Sequence, residues 1–193
     1  MDLYGNASCN LPQILGEKTI SFEIIKNIRV DFKQKLMQND ILILIPTASA
    51  ILSEENIITI DIFYQNGGSL YIFGDNTPYF VDANRITERL FNLKLDGNDY
   101  GDQQVPKLTN IVPGKKTGFD AKCPLFHGLE ILPEGITVSH LVDSSGKNMV
   151  DQEMFEGFQP VLWGTQNNVI CACFGCTNGG NKRCVIDGGV TRL

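Results

Sequence analysis

Residues 69–93 read SLYIFGDNTPYFVDANRITERLFNL. An apolar run (Leu70, Tyr71, Ile72, Phe73) meets a polar turn (Gly74, Asp75, Asn76, Thr77, Pro78), and apolar positions at helical spacing follow, which predicts strand, turn and helix. In open α/β sheets the carboxyl end of a strand is where ligands and catalytic groups sit. Here that junction holds Asp75 and Asn76, and no cysteine or serine.

Working outward, Ile41, Leu42, Ile43, Leu44 and Ile45 are five aliphatic residues in succession. Such a run predicts a strand covered on both faces, as in a parallel sheet. Ser53, Glu54 and Glu55 form a helix start, with a hydroxyl to cap it and two acids facing the positive end of the macrodipole. That helix is expected to run to about residue 65 and stop at Asn66-Gly67-Gly68. Strand, helix, strand within some thirty residues is a right-handed βαβ unit, so the two strands lie parallel and adjacent or nearly so.

Upstream, residues 1–17 are an irregular lead-in, and residues 18–193 are expected to form one domain. Residues 19–25 suit a strand, whereas Ile28, Phe32 and Leu36, four apart, favour a helix that Asn39-Asp40 breaks. Downstream, residues 94–135 carry too many glycines and prolines for long regular elements. Strands are predicted over 136–142, 160–163, 169–174 and 184–187, with a turn at 143–146, and residues 147–159 fit either type. The link at 177–181 is too short for a crossover, so the last two strands must pair antiparallel.

The chain has 193 residues, 42% of them hydrophobic and 20% charged, which suits a single globular core. A formal charge of -6 and a pI near 4.9, without a basic stripe, leave nucleic-acid binding no electrostatic footprint. No apolar run approaches the roughly 20 residues that span a bilayer, and the start shows no secretory signal. Six cysteines without such a signal point to reduced thiols and a cytoplasmic protein.

The order DILILIPT, an SEEN-type helix, NGGSLYIFGDN and a helix carrying DANRITERLF resembles the class I glutamine amidotransferase-like (flavodoxin-like) superfamily. Divergent members such as the GIFT domains of intraflagellar-transport proteins are similar, and PLFHGLEILPEGITVSHL and RCVIDGGVTRL look like late elements of such domains. The likeness covers roughly residues 39–193. It implies a three-layer α/β sandwich with a central, mostly parallel sheet and a C-terminal antiparallel hairpin. Members normally carry a cysteine nucleophile on the elbow after the strand at 70–73, with a histidine and an acid supplied later. Asp75 and Asn76 stand at that elbow instead, so the resemblance implies the scaffold without the catalysis. Domains of this type usually continue into a further helix, so the chain is expected to be part of a longer protein, with a sheet face lacking its helix.

Three functions compete. A binding domain would recognise a protein partner or a small polar ligand at the carboxyl edge of the sheet, through Gly74, Asp75, Asn76, Tyr79, Asp82, Asn84 and His127, with no cofactor, metal, nucleic acid or membrane involved. An enzyme would use Asp75 as base or nucleophile assisted by His127. A zinc-stabilised domain would use Cys171, Cys173, Cys176 and Cys184, although C-x-C-x2-C-x7-C is no standard ribbon. The oxygen-rich set Asp75, Asn76, Asp82, Asn84, Asp96, Asn98, Asp99 and Asp102 suits a hard cation in residue type but not in spacing. Its plain reading is turn bonds at Asp75 and Asn76, a helix cap at Asp82 and a solvated loop over 96–102. His140, on a strand, reads as a packed or hydrogen-bonded residue. The absent elbow cysteine favours the binding domain.

Overall fold

The computed structural model describes residues 17–18, 21, 23, 28, 31–101, 104–110, 117–149, 157–176 and 182–190. Residues 1–16 of the expected lead-in, most of the strand over 19–25, Asp102, the loop 177–181 and residues 191–193 lie outside them.

The elements in chain order are α1 (Phe32–Leu36), β1 (Ile41–Leu44), α2 (Glu54–Gln65), β2 (Ser69–Phe73), α3 (Val81–Phe91), β3 (Leu93–Tyr100), β4 (Val105–Leu108), β5 (Gly118–Asp120), a 3-10 turn (Pro124–Phe126), β6 (Ile131–Leu132), β7 (Thr137–Asp143), β8 (Gln159–Trp163), β9 (Val169–Phe174) and β10 (Cys184–Asp187). Helix α2 starts as its sequence requires: the Ser53 hydroxyl accepts from the Asn56 backbone N–H at 3.2 Å, and the Asn56 side chain accepts from the Ser53 N–H at 3.0 Å. Helix α1 is shorter than the apolar spacing suggests, because Asp31 is left-handed (φ 66°) and the helix begins only at Phe32.

Eight strands form one mixed sheet in the order β1-β2-β10-β9-β8-β5-β4-β6, and β3 and β7 form a separate two-stranded ribbon. Strands β1, β2 and β10 run parallel, as do β4 and β5. The remaining neighbours are antiparallel, including the β9–β10 pair that the short link requires. Antiparallel pairing therefore extends well beyond one terminal hairpin.

Two buried clusters flank the sheet. The first takes the inward residues of all three described α-helices, among them Phe32, Ile60, Phe63 and Ile86, together with Leu70 and Ile72 of β2. The second takes Val161, Ile170, Cys171, Cys173 and Val185 from strands and Phe126 from the 3-10 turn. Among the described residues the helices thus cover one face, where the three-layer expectation places helices on both.

Two expectations need correction. Strand β1 is not covered on both faces: among the described strands it lies at the edge of the sheet, and only its Leu42 and Leu44 pack on the first cluster, while Ile41 is 59% and Ile43 37% exposed. A continuous apolar run cannot distinguish the two cases. Residues 96–100 are no solvated loop but the second half of β3, and 93–100 make a long element in the breaker-rich region. There Leu93 and Leu95 alternate into the core, and a shift of register between Asp96 and Asp99 absorbs Gly97 and Asn98.

Candidate functional site

The junction after β2 is built by contacts among its own residues and β3. Gly74 N–H donates to the Asp187 carbonyl at 2.7 Å, tying the ends of β2 and β10 together. A Cβ at position 74 would meet Leu95 Cδ1 at 2.3 Å, so glycine lets β3 lie close. Asp75 is 8% exposed, and its Oδ1 accepts the Asn76 backbone N–H at 2.9 Å. Its own N–H donates to the Tyr79 carbonyl at 3.1 Å, and Tyr79 N–H donates to Asn76 at 2.8 Å. The Thr77 hydroxyl reaches the Gly97 carbonyl at 2.9 Å, so β3 closes the turn from above. The peptide between Thr77 and Pro78 is cis. Tyr79 is half-buried.

Asp82 and Asn84 bond to partners outside this turn. The Asp82 carboxylate, 1% exposed, accepts from the backbone N–H groups of Ile51 at 2.9 Å and Leu52 at 3.2 Å, and from Arg85 Nη1 at 2.9 Å. It is therefore not a cap for its own helix, whose N-cap Phe80 makes no side-chain bond, but the anchor of the loop before α2. Asn84 stands in for a strand: its Nδ2 donates to the Leu95 carbonyl at 2.8 Å and its Oδ1 accepts the Leu95 N–H at 2.7 Å.

His127 is not brought to Asp75. It is exposed, after the 3-10 turn that follows β5, and β5 lies four strand positions from β2. At about 4.8 Å per strand that is roughly 19 Å, beyond the reach of shared proton transfer. His140 is hydrogen-bonded as expected, its Nδ1 lying 2.9 Å from Asp99 Oδ2, which also accepts from Asn168 Nδ2 at 2.7 Å.

The four hairpin thiols do not converge either. Cys171 and Cys173 belong to the second cluster, while Cys184 is buried in the first, on the other side of the sheet. Among the described residues no group of three or more histidine, cysteine, aspartate or glutamate side chains could hold a metal ion. Cys123, some fifty positions earlier, joins Cys171 and Cys173 in the second cluster with Cys176 packed against it, which sequence spacing does not reveal. The Cys176 thiol donates to the Phe174 carbonyl at 3.7 Å.

Asp187 was also missed. It is 1% exposed at the end of β10, accepting from Gly189 N–H at 3.1 Å and from the Tyr71 hydroxyl at 3.3 Å. The signal was present in CVIDGG, an apolar strand ending in an acid and glycine much as IFGDN does. The edge thus holds two buried carboxylates, Asp75 and Asp187, each accepting bonds from within the chain, and chemically it is a closed, self-bonded surface.

What the fold defines is a mixed α/β protein. Its overall shape is similar to that of the mmIFT52 N-terminal domain, with a TM-score of 0.53 and 14% identity over 94% of this chain and 78% of that one. It is also similar to a cytoplasmic protein from Salmonella typhimurium, with a TM-score of 0.51 and 12% identity over 93% of this chain and 74% of that one. No family model and no curated protein sequence matches the chain. At such identities the likeness is one of fold. No helix among the described residues is long and apolar enough to cross a membrane.

Proposed function

We propose that the chain is a divergent, non-catalytic member of the class I glutamine amidotransferase-like, flavodoxin-like superfamily, and a cytoplasmic binding domain that recognises a partner protein at the carboxyl edge of its sheet. The succession β1, α2, β2, α3 with parallel β10 beside β2 supports the superfamily reading, as does the likeness in fold to the mmIFT52 N-terminal domain. Cysteines that are all unbridged among the described residues suit a reducing compartment.

The observation that carries the binding reading is the contrast at that edge. Its polar groups are engaged within the chain, whereas Ile45 and Ile51, in the loop that Asp82 anchors, are 42% and 55% exposed. Grooves of about 660 Å³ between α1 and α2, and of about 320 Å³ beside Arg85 and Arg89, are lined by none of residues 74–80. A surface with apolar side chains outward, apart from both of these grooves, suits a protein better than a small polar ligand.

The test places a photo-crosslinking amino acid at Ile51, or at Leu129 on the far edge as a control, in the native cell. The expected result is a discrete adduct from position 51, lost when Ile45→Glu is added, and none from position 129. Exposed sites of this kind change stability by only about 0.5 kcal/mol, so loss of the adduct is not loss of the fold. Equal labelling from both positions, or glutamine hydrolysis by the purified chain, overturns the proposal.

A further inference from the structure

The two ends of the eight-stranded sheet are finished differently. At one end β6 has only two residues, Ile131 and Leu132, set between Glu130 and Pro133. Short length, charge and proline are devices that keep an edge strand from pairing with another chain. At the other end β1 has none of them. From Ile41 to Ile45 the chain reads ILILI, with no charge or proline, and β1 pairs with β2 in unbroken register. Among the described residues no strand lies beyond it.

The direction of its peptide groups follows from that register. The Asp40 carbonyl accepts the Ser69 N–H at 2.9 Å, and Leu42 and Leu44 stand opposite Leu70 and Ile72. In a parallel ladder alternate residues turn their peptide groups to the same neighbour. Those of Asp40, Leu42 and Leu44 therefore face β2, and those of Ile41 and Ile43 face outward. Ile41 and Ile43 are also the residues of β1 whose side chains are exposed, and Ile45, just past the strand, is exposed too. The same positions thus offer edge N–H and C=O groups and apolar side chains.

We propose that β1 pairs antiparallel with β1 of a second copy of this chain, about a two-fold axis at Ile43, joining the two sheets into one. ILILI reads the same in both directions. The axis therefore sets Ile43 opposite the second copy's Ile43, Ile41 opposite its Ile45 and Leu42 opposite its Leu44. Residues directly opposite one another are the pairs that stabilise a sheet, and here all are aliphatic. Asp40 falls opposite the second copy's Pro46, so no like charges meet across the seam. The charge of -6 on each copy opposes their approach, but physiological salt screens it beyond about 8 Å. A contact of about five residues, ~17 Å long, gives each copy less than the ~800 Å² of a standard interface, so the dimer exchanges with monomer. This pairing is independent of a partner at the carboxyl edge, with which it shares only Ile45.

Sedimentation equilibrium of the full chain, from micromolar to near-millimolar concentration, tests the pairing. The average mass is expected to rise with concentration from one chain towards two, and to rise further in high salt, which screens the repulsion between acidic copies. Ile43→Lys sets two ammonium groups face to face and should weaken association by about tenfold or more, as like charges opposite each other on an edge do. Ile131→Lys, on the guarded edge, should leave it unchanged. Ile41→Lys and Ile45→Glu should each weaken it, and the double variant should recover it, because the two-fold brings those positions together. Such recovery separates lost pairing from lost folding and belongs to the antiparallel register alone. The adduct from position 51 that Ile45→Glu abolishes should stay absent in the double variant, so the dimer and the partner surface fail separately. A mass of one chain at every concentration overturns the proposal. So does equal weakening by Ile131→Lys, or a double variant that associates no better than either single one.

Discussion

Asp82 shows how much one side chain can organise. It occupies the second position of α3, yet its carboxylate holds the backbone of Ile51 and Leu52, thirty residues earlier, and its partner Arg85 donates to the Leu52 carbonyl as well. Replacing it with alanine removes the acceptor and leaves buried N–H donors without a partner. We expect Asp82→Ala to cost ~2–4 kcal/mol, because a buried donor that loses its acceptor carries its desolvation penalty uncompensated and the pair with Arg85, whose side chain is partly exposed, is broken. Asp82→Asn keeps one acceptor oxygen and should cost less. Urea unfolding monitored by circular dichroism measures both, and a midpoint for Asp82→Ala within error of wild type would show that the loop is held by other contacts. The sequence marked Asp82 by residue type only. Its true partners lie in a loop that spacing along the chain cannot connect to a helix.

At the scale of elements, what was legible followed from local periodicity and capping. The Ser53 cap, the β1–α2–β2–α3 order and the antiparallel β9–β10 pair all stand, because each is decided within a few residues. What was not legible depended on distant partners: β3 is held by the Asn84 side chain and by β7, and β1 is left at the edge by sheet order. The candidate site divides in the same way. The Asp75–Asn76 turn was visible in the sequence, whereas Asp187 and Cys123 reach their places only through tertiary pairing. The joint between the two sheets is equally non-local. Ser139 N–H of β7 donates to the Gly188 carbonyl at 2.9 Å, Gly188 N–H donates to Ile170 at 2.7 Å, and a Cβ on Gly188 would lie 2.0 Å from the Ser139 carbonyl oxygen. That neighbour is backbone and cannot rotate aside. Gly188→Ala is therefore expected to push the β3–β7 ribbon off the sheet and cost ~1–3 kcal/mol or more, as overpacking a buried joint does. Hydrogen exchange should show lost protection at the amide of Ser139 and along β7. Unchanged exchange there would mean that the joint yields without strain.

For the whole molecule, the two clusters on opposite faces of one sheet carry acids raised by burial and one thiol lowered at the rim, and this sets how stability depends on pH. In the first cluster burial raises Cys184 well above its ordinary value, and burial raises Tyr64, which packs edge-on against Phe91 at 5.2 Å with Lys182 over its ring. In the second, Cys173 is raised by its hydrogen bonds, while Cys176 at the rim is lowered to about 7. A raised acid keeps its proton in the folded state while the unfolded chain has lost it. Its stabilisation is thus complete below the unfolded value, about 8.5 for cysteine and 10 for tyrosine, and declines as pH rises beyond it. A lowered acid does the reverse: the contribution of Cys176 is complete above about 8.5, the unfolded cysteine value, and is lost as pH falls through the folded one. Together these signs place the stability maximum of the reduced protein near pH 8.5, with a shallow fall towards pH 6.5 and a steeper one towards pH 10.5, by the same linkage. Urea midpoints across that range measure the curve, and two variants assign its limbs. Cys184→Ala should flatten the decline between about 8.5 and 10, and Tyr64→Phe should flatten it above about 10, since each removes the group whose unfolded proton is lost there. Midpoints that stay level from pH 8.5 to 10.5 in wild type would mean that Cys184 and Tyr64 ionise as readily in the fold as in the open chain, and that the first core is wetter than its burial implies.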